Sequence, residues 1–169
     1  HGIGRRQRQM CIRDRIEGEI YLNLYFADEG AEPETANLFV FGNMSSIDVP
    51  AGETASLTST CAFDEDTNLF SVTPHMHAMG SGFSFTREST GEVLLETEGW
   101  SNPETLYMEP SLSVAAGEEF TFTCQWTNTT DEDVGFGQTA SDEMCFVFGY
   151  NWPSDDLYWR SEYNGCTVQ

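Results

Sequence analysis

The chain has 169 residues with no lysine and seven arginines against 28 acidic residues, which gives a formal net charge of −21. A negative field of this size repels nucleic acid and anionic membrane surfaces, so we expect neither as a partner. No apolar run approaches the roughly 20 residues that a membrane-spanning helix needs.

The first 15 residues differ in composition from the rest of the chain. Five of the seven arginines lie at positions 5, 6, 8, 13 and 15, whereas 27 of the 28 acidic residues follow position 15. The stretch QRQMCIRDR at residues 7–15 resembles the translated sequencing-adapter sequence found at the ends of metagenomic gene models. We interpret residues 1–15 as foreign to the fold, with a disordered basic arm as the alternative, and expect one domain over residues 16–169.

Short alternating segments follow one another through the rest of the chain and are typical of β-strands. In EIYLNLYF at residues 19–26, the residues Ile20, Leu22, Leu24 and Phe26 share one face. Further strands are predicted at 38–41, 46–49, 54–61, 69–79, 83–87, 93–97, 119–126 and 144–150. About eight or nine short strands without a convincing helix predict an all-β fold, an antiparallel and jelly-roll-like β-sandwich.

The alternation is clearest in EFTFTCQW at residues 119–126. Phe120, Phe122, Cys124 and Trp126 fall on one face, and the threonines fall on the other. We therefore expect the aromatic face to point inward, where a disulfide formed by Cys124 would lie in the core.

The cysteines indicate the compartment. Apart from Cys11 in the basic segment, the chain has Cys61, Cys124, Cys145 and Cys166. An even number in an acidic β domain favours two disulfides and an oxidising setting, so we expect a secreted, periplasmic or extracellular protein. The spacing leaves all three pairings open. Zinc binding through thiolates is a weaker alternative, because the chain has no CxxC pair.

Two of the three histidines form the sequence His75-Met76-His77. Side chains two residues apart on a strand project from the same face, so both imidazoles should point the same way and could bind one metal ion. A lone histidine is usually a satisfied polar residue, and the HxH pattern also occurs in unrelated strands. In a chain with almost no other histidine, the spacing favours a metal site.

The third ligand would decide the metal. Zinc would need another histidine, a thiolate or a carboxylate, whereas a thioether selects copper and especially Cu(I). The candidate thioethers are Met76, Met79, Met108 and Met144. Met76 alternates onto the face opposite the histidines, Met79 would have to fold back, and core packing is the ordinary role of a methionine.

Two segments together resemble a known family. TPHMHAMG at residues 73–80 and ASDEMC at residues 140–145 look like the two signatures of the copper type II, ascorbate-dependent monooxygenases. HxHxxG followed at this distance by DEMC is more specific than either half alone. The resemblance is to the C-terminal catalytic domain of the family, and it implies that His75, His77 and Met144 bind the catalytic copper.

The resemblance also implies disulfides, a cofactor and a reaction. In the family the corresponding cysteines pair as Cys61–Cys166 and Cys124–Cys145. One copper ion alternating between Cu(I) and Cu(II) would use dioxygen to hydroxylate a C–H bond of a small-molecule substrate. Ascorbate or another reductant would supply the electrons in the full enzyme.

The chain departs from the family in its electron-transfer machinery. Full members have a preceding domain in which three histidines hold a second copper, and a His-Tyr pair often closes that domain. Here Leu24 stands where that histidine would be, and His1 is the only histidine besides the HxH pair. We therefore expect an incomplete enzyme that lacks its N-terminal copper domain or depends on a partner electron donor. The alternative is a single-copper binding or redox module, or a degenerate non-catalytic sandwich.

The substrate-binding positions depart as well. Peptide-amidating members have an arginine at the position of Thr73, and an asparagine and a tyrosine at the positions of Phe146 and Phe148. Peptide amidation is therefore not expected. One interpretation places an apolar substrate against the two phenylalanines, and the more ordinary one packs both of them in the core.

Overall fold

The computed structural model describes residues 21–26, 28–32, 35–153 and 166–168. The chain divides into two units, His1–Pro33 and Glu34–Gln169. In the first unit, the described residues 21–26 form no strand and their apolar side chains are exposed. The predicted strand at 19–26 is therefore wrong for residues 21–26, because alternation marks a possible face and does not by itself make a strand. The basic segment 1–15, with His1, lies outside the described residues.

The described part of the second unit contains eleven strands, of which eight have at least six residues and three have two. In chain order they are β1 Asn37–Gly42, β2 Asp48–Val49, β3 Thr54–Ala62, β4 Thr67–His75, β5 Gly80–Arg87, β6 Glu92–Glu98, β7 Leu106–Val114, β8 Glu119–Thr127, β9 Val134–Gly135, β10 Phe146–Trp152 and β11 Thr167–Val168. No helix in the portion that the structure describes has the length and apolarity to cross a membrane.

Two antiparallel sheets enclose one hydrophobic core. The four-stranded sheet has the order β1-β10-β4-β7, and the five-stranded sheet has the order β11-β3-β8-β5-β6. Strands β2 and β9 form a separate pair. Buried side chains from both sheets belong to one cluster, including Val72 and Val147 from the first sheet and Phe85 and Phe122 from the second. The fold is thus an all-β antiparallel sandwich, and this prediction is confirmed.

The inward face of β8 forms the centre of that core. Phe120, Phe122 and Cys124 have no exposed surface and Trp126 is 1% exposed, which confirms the predicted orientation of this strand. Burying a side chain of this size contributes about 1.5–3 kcal/mol relative to leaving it exposed. Strand β8 is therefore anchored in the core through its whole inward face.

Two disulfides hold the sandwich together, and both match the pairing that the family resemblance implied. Cys61 at the end of β3 is bonded to Cys166 just before β11. Cys124 in β8 is bonded to Cys145, the residue that precedes β10. The second disulfide joins the two sheets. Both are consistent with folding in an oxidising compartment.

The strand that carries the histidines ends earlier than predicted. The sequence pattern predicted a strand over 69–79, but β4 ends at His75 and a turn leads into β5. The backbone nitrogen of Gly80 donates to the carbonyl oxygen of His77 at 3.0 Å. A Cβ atom on Gly80 would lie only 2.9 Å from the Cβ of Met76, so this close approach requires a glycine. The chain therefore reverses before Gly80. The predicted gap between strands at residues 80–82 lies instead at residues 76–79, and residues 80–82 belong to β5.

Candidate metal centre

His75 and His77 lie side by side at one end of the four-stranded sheet. Their ring centroids are 5.3 Å apart and their planes are nearly perpendicular, at 88°. Both side chains are partly exposed. His75 is the last residue of β4 and His77 begins the following turn, and the buried Met76 between them keeps the predicted alternation of faces. The separation leaves room for one metal ion bound by both rings.

A backbone contact fixes the tautomer of His77. Its Nδ1 atom lies 3.0 Å from the carbonyl oxygen of Asp142. A carbonyl oxygen only accepts, so Nδ1 must carry the proton and donate it. The Nε2 lone pair is then free to bind a metal, an arrangement that is usual for metal-binding histidines.

The surroundings of His75 favour its neutral form. Burial lowers the pKa of His75 below its usual value, and the nearby His77 lowers it further, although the Glu143 carboxylate acts in the opposite direction. Neutral imidazole is the form that binds metal. The His75 ring also packs against Phe148, with 5.6 Å between the ring centroids.

The methionine candidates have different environments. Met76 is buried in the core, as its predicted alternation away from the histidines requires. Met79 and Met108 are partly buried and pack against that core. Met144 is partly exposed and does not belong to the core cluster found among the described residues. Of the four, Met144 is the thioether that core packing does not already account for.

The segment that carries Met144 runs beside the two histidines. On one side of Met144, the carbonyl of Asp142 accepts the hydrogen bond from His77. On the other side, Phe146 pairs with His75 where β10 meets β4. Met144 thus lies in the short stretch between two contacts with the proposed histidine ligands.

A buried carboxylate connects the same elements. Glu143 has no exposed surface. Its Oε2 atom accepts hydrogen bonds from the backbone nitrogen of His77 at 3.0 Å, from Nε1 of Trp126 at 2.8 Å and from the backbone nitrogen of Met144 at 3.3 Å. Its Oε1 atom accepts from the backbone nitrogen of Met79 at 2.7 Å.

The sequence analysis missed Glu143. A glutamate outside a strand is normally exposed, so residue type alone gives no reason to expect a buried acceptor. Its place beside a proposed ligand in the DEMC segment was the only available signal.

Aromatic side chains extend from His75 along the outer side of β10. Phe148 contacts the His75 ring, Phe146 stacks on Phe148 with centroids 6.1 Å apart, and Phe136 approaches Phe146 at 6.3 Å. Because Val147 between them faces the core, Phe146 and Phe148 face the other way. We call Phe136, Phe146 and Phe148 the aromatic row. Phe146 is nonetheless buried, with 5% of its surface exposed, so its predicted burial is borne out, whereas Phe148 is partly exposed.

The donor set fits copper better than zinc. Among the residues that the structure describes, no group of three or more histidine, cysteine, aspartate or glutamate side chains could hold a metal ion. His75 and His77 offer two imidazoles, and Met144 in the adjoining segment carries a thioether, a donor type that selects copper, particularly Cu(I). The residues present are therefore chemically suited to a copper ion.

Comparison with known families agrees with this chemistry. Residues 35–167 match a family model described as copper type II ascorbate-dependent monooxygenase, C-terminal domain. The match covers most of the chain and includes both histidines, Met144 and all four disulfide-bonded cysteines.

Proposed function

Because the chain belongs to the copper type II, ascorbate-dependent monooxygenase family, through a match to its C-terminal domain, we propose that its sandwich is a catalytic copper domain. In this proposal His75, His77 and Met144 bind one copper ion. The observation that carries the proposal is the pair of imidazole rings 5.3 Å apart, with the Nδ1 atom of His77 already held by the Asp142 carbonyl.

Each proposed ligand has a distinct role. The two histidines provide nitrogen donors at neighbouring positions, and the thioether of Met144 favours the reduced ion. Bound copper would supply the redox chemistry and dioxygen activation that hydroxylation of a C–H bond requires. The aromatic row would limit the access of water to the side of His75 where a substrate could lie.

The electrons must come from outside this histidine pair. The chain has three histidines, and the proposed site uses two of them. These 169 residues therefore contain one histidine beyond the proposed site. We propose that an N-terminal copper domain, a partner protein or a diffusible reductant such as ascorbate supplies the electrons, in a secreted, periplasmic or extracellular setting.

Met144→Ile tests the thioether. We expect Cu(I) affinity to fall by about 10- to 100-fold and Cu(II) affinity by less than about threefold, because soft sulfur prefers the soft ion. Competition with a chromophoric chelator for each oxidation state measures both affinities. Met79→Ile is the matched control and should leave Cu(I) affinity unchanged. Equal loss of Cu(I) and Cu(II) in Met144→Ile would argue against thioether ligation.

The surface beside the proposed site favours an apolar substrate. Phe136 is 37% exposed and Phe148 is partly exposed, so these two members of the aromatic row offer ring surface, whereas Phe146 is buried. The hydroxyl of Thr73 is engaged with Thr105 at 2.8 Å. The one arginine in the described ranges, Arg87, is paired with Glu118. Since that arginine is already paired and the net charge is −21, a carboxylate-bearing substrate would be repelled.

A substrate panel tests both catalysis and this preference. With copper, ascorbate and isotopically labelled dioxygen, we expect labelled hydroxylated products from apolar substrates and none from their carboxylate-bearing analogues. Phe148→Asn should lower kcat/KM for the apolar substrates by about 10-fold, because it replaces part of an apolar contact surface. Mass spectrometry detects the products, and His75→Ala provides the inactive background. Preferential oxidation of the carboxylate analogues would contradict the assignment.

A single-copper module without catalysis is the second candidate. The observation that favours it is the pair of imidazole rings 5.3 Å apart, which supports copper binding without requiring a hydroxylation step. Normal copper binding without labelled product, under any reductant and with any substrate in the panel, would support this candidate over the enzyme.

A further inference from the structure

We propose that Glu143 is a positioning residue that holds the two ligand-bearing segments of the copper site at a fixed separation. The proposal rests on the copper site proposed above, although part of its test does not involve copper. In the proposal, the Glu143 carboxylate binds backbone nitrogens and is not itself a copper ligand. It acts on the site through His77 and Met144.

One carboxylate oxygen joins the two segments directly. Oε2 of Glu143 accepts from the backbone nitrogen of His77 at 3.0 Å and from that of Met144 at 3.3 Å. These residues are 67 positions apart in the sequence, and each is a proposed ligand. A single atom thus limits how far their backbones can separate.

The other oxygen holds the far end of the histidine turn. Oε1 accepts from the backbone nitrogen of Met79 at 2.7 Å. Within the turn, the nitrogen of Gly80 donates to the carbonyl of His77. Both His77 and Met79 are therefore tied to the same carboxylate, and the turn cannot swing away from the Met144 segment without breaking hydrogen bonds.

The carboxylate is itself anchored to the core. The indole nitrogen of Trp126, a residue only 1% exposed in β8, donates to Oε2 at 2.8 Å. The backbone of Glu143 is fixed as well, since its nitrogen donates to Gly135 and its carbonyl accepts from Gly137. The tether therefore connects both ligand segments to β8, whose inward-facing side chains are fully buried in the core.

The residue type matters because every partner is a donor. An ionised carboxylate is an acceptor with about four lone-pair sites, which suits four converging N–H groups. Such bonds also compensate for burying the charge. A glutamine has the same shape, but it must turn its NH₂ group toward one set of donors. If the glutamine oxygen accepted the three hydrogen bonds that Oε2 of Glu143 accepts, the NH₂ group would face the Met79 N–H. Two donors would then oppose each other.

Copper affinity is the first test. We expect Glu143→Gln to fold and to bind Cu(I) about 10- to 100-fold more weakly than the native chain, which is the usual effect of losing an outer contact of a metal site. Phe122→Leu is the control: it alters the core and lowers the melting temperature without touching Glu143, and it should keep Cu(I) affinity within about threefold. Native affinity in Glu143→Gln, or losses that simply follow the melting temperature in both variants, would overturn the proposal.

Amide hydrogen exchange in the metal-free protein is the second test. Glu143→Gln should accelerate exchange at the Met79 amide by more than about 10-fold, while the amides of Thr123 and Cys124 in β8 keep their protection. In Phe122→Leu, amide exchange at Met79 should not accelerate more than exchange at Thr123 and Cys124. Unchanged exchange at Met79 in Glu143→Gln would overturn the tether. If the native chain bound no copper, the proposed function would fail, but this measurement would still decide whether Glu143 positions the turn.

Discussion

His75→Ala should abolish copper binding. The proposed site has two nitrogen donors and one thioether, so the change leaves one imidazole and one sulfur, a set too weak to retain the ion against a competing chelator. We expect the loss to exceed the roughly 10- to 100-fold that removal of an outer contact causes. Metal analysis after dialysis should find one copper ion per native chain and none above background in the variant.

The control for this experiment lies on the same strand. Thr73→Ala removes a side chain two positions away in β4 and on the same face as His75. It should bind copper as the native chain does, with the same electron paramagnetic resonance signal for Cu(II). Unchanged copper stoichiometry in His75→Ala would show that the site assignment is wrong.

Removing the Cys124–Cys145 disulfide should weaken both the fold and the copper site. For cysteines 21 positions apart, the chain-entropy model gives a loss of about 3 kcal/mol in the free energy of unfolding. That corresponds to a fall of about 6–12 °C in melting temperature for a chain of this size. Because Cys145 adjoins Met144, we also expect the Cu(I) affinity of the Cys124→Ala, Cys145→Ala double variant to fall.

The other disulfide separates these two effects. Cys61 and Cys166 are 105 positions apart, so the same model gives a larger loss, about 4–5 kcal/mol, when they are replaced. Neither adjoins a proposed ligand, so the Cys61→Ala, Cys166→Ala double variant should keep its Cu(I) affinity at temperatures where it remains folded. If both double variants lose copper equally, the Cys124–Cys145 disulfide has no particular role at the site.

Several features of this protein could be predicted from the sequence because each depends on residues close together in the chain or on a simple count. The strict alternation of EFTFTCQW determines which side of β8 faces the core, since a strand with one apolar face can bury only that face. The HxH spacing predicted neighbouring imidazoles, and the ring distance bears this out. The even number of cysteines predicted two disulfides, although only the family resemblance selected their pairing.

Other predictions failed where the signal was weak or misleading. Strand β7, Leu106–Val114, was not predicted, because it is an edge strand with an irregular burial pattern and contains Pro110, which an edge strand tolerates. Residues 21–26 alternate well and yet form no strand. Alternation describes a possible face, but a strand also needs a hydrogen-bonded neighbour.

The sequence by itself determined the sandwich, the buried face of β8 and the donor types available to a metal. Only the tertiary structure decided where β4 ends, on which side of β10 the phenylalanines lie, and that Glu143 is buried among four donors. These features depend on contacts between segments far apart in the chain, and residue type carries no information about such partners. His75, Met76 and His77 keep the predicted alternation of faces, while the turn that follows β4 is hydrogen-bonded to the buried Glu143 carboxylate, a contact that the HxH spacing does not reveal.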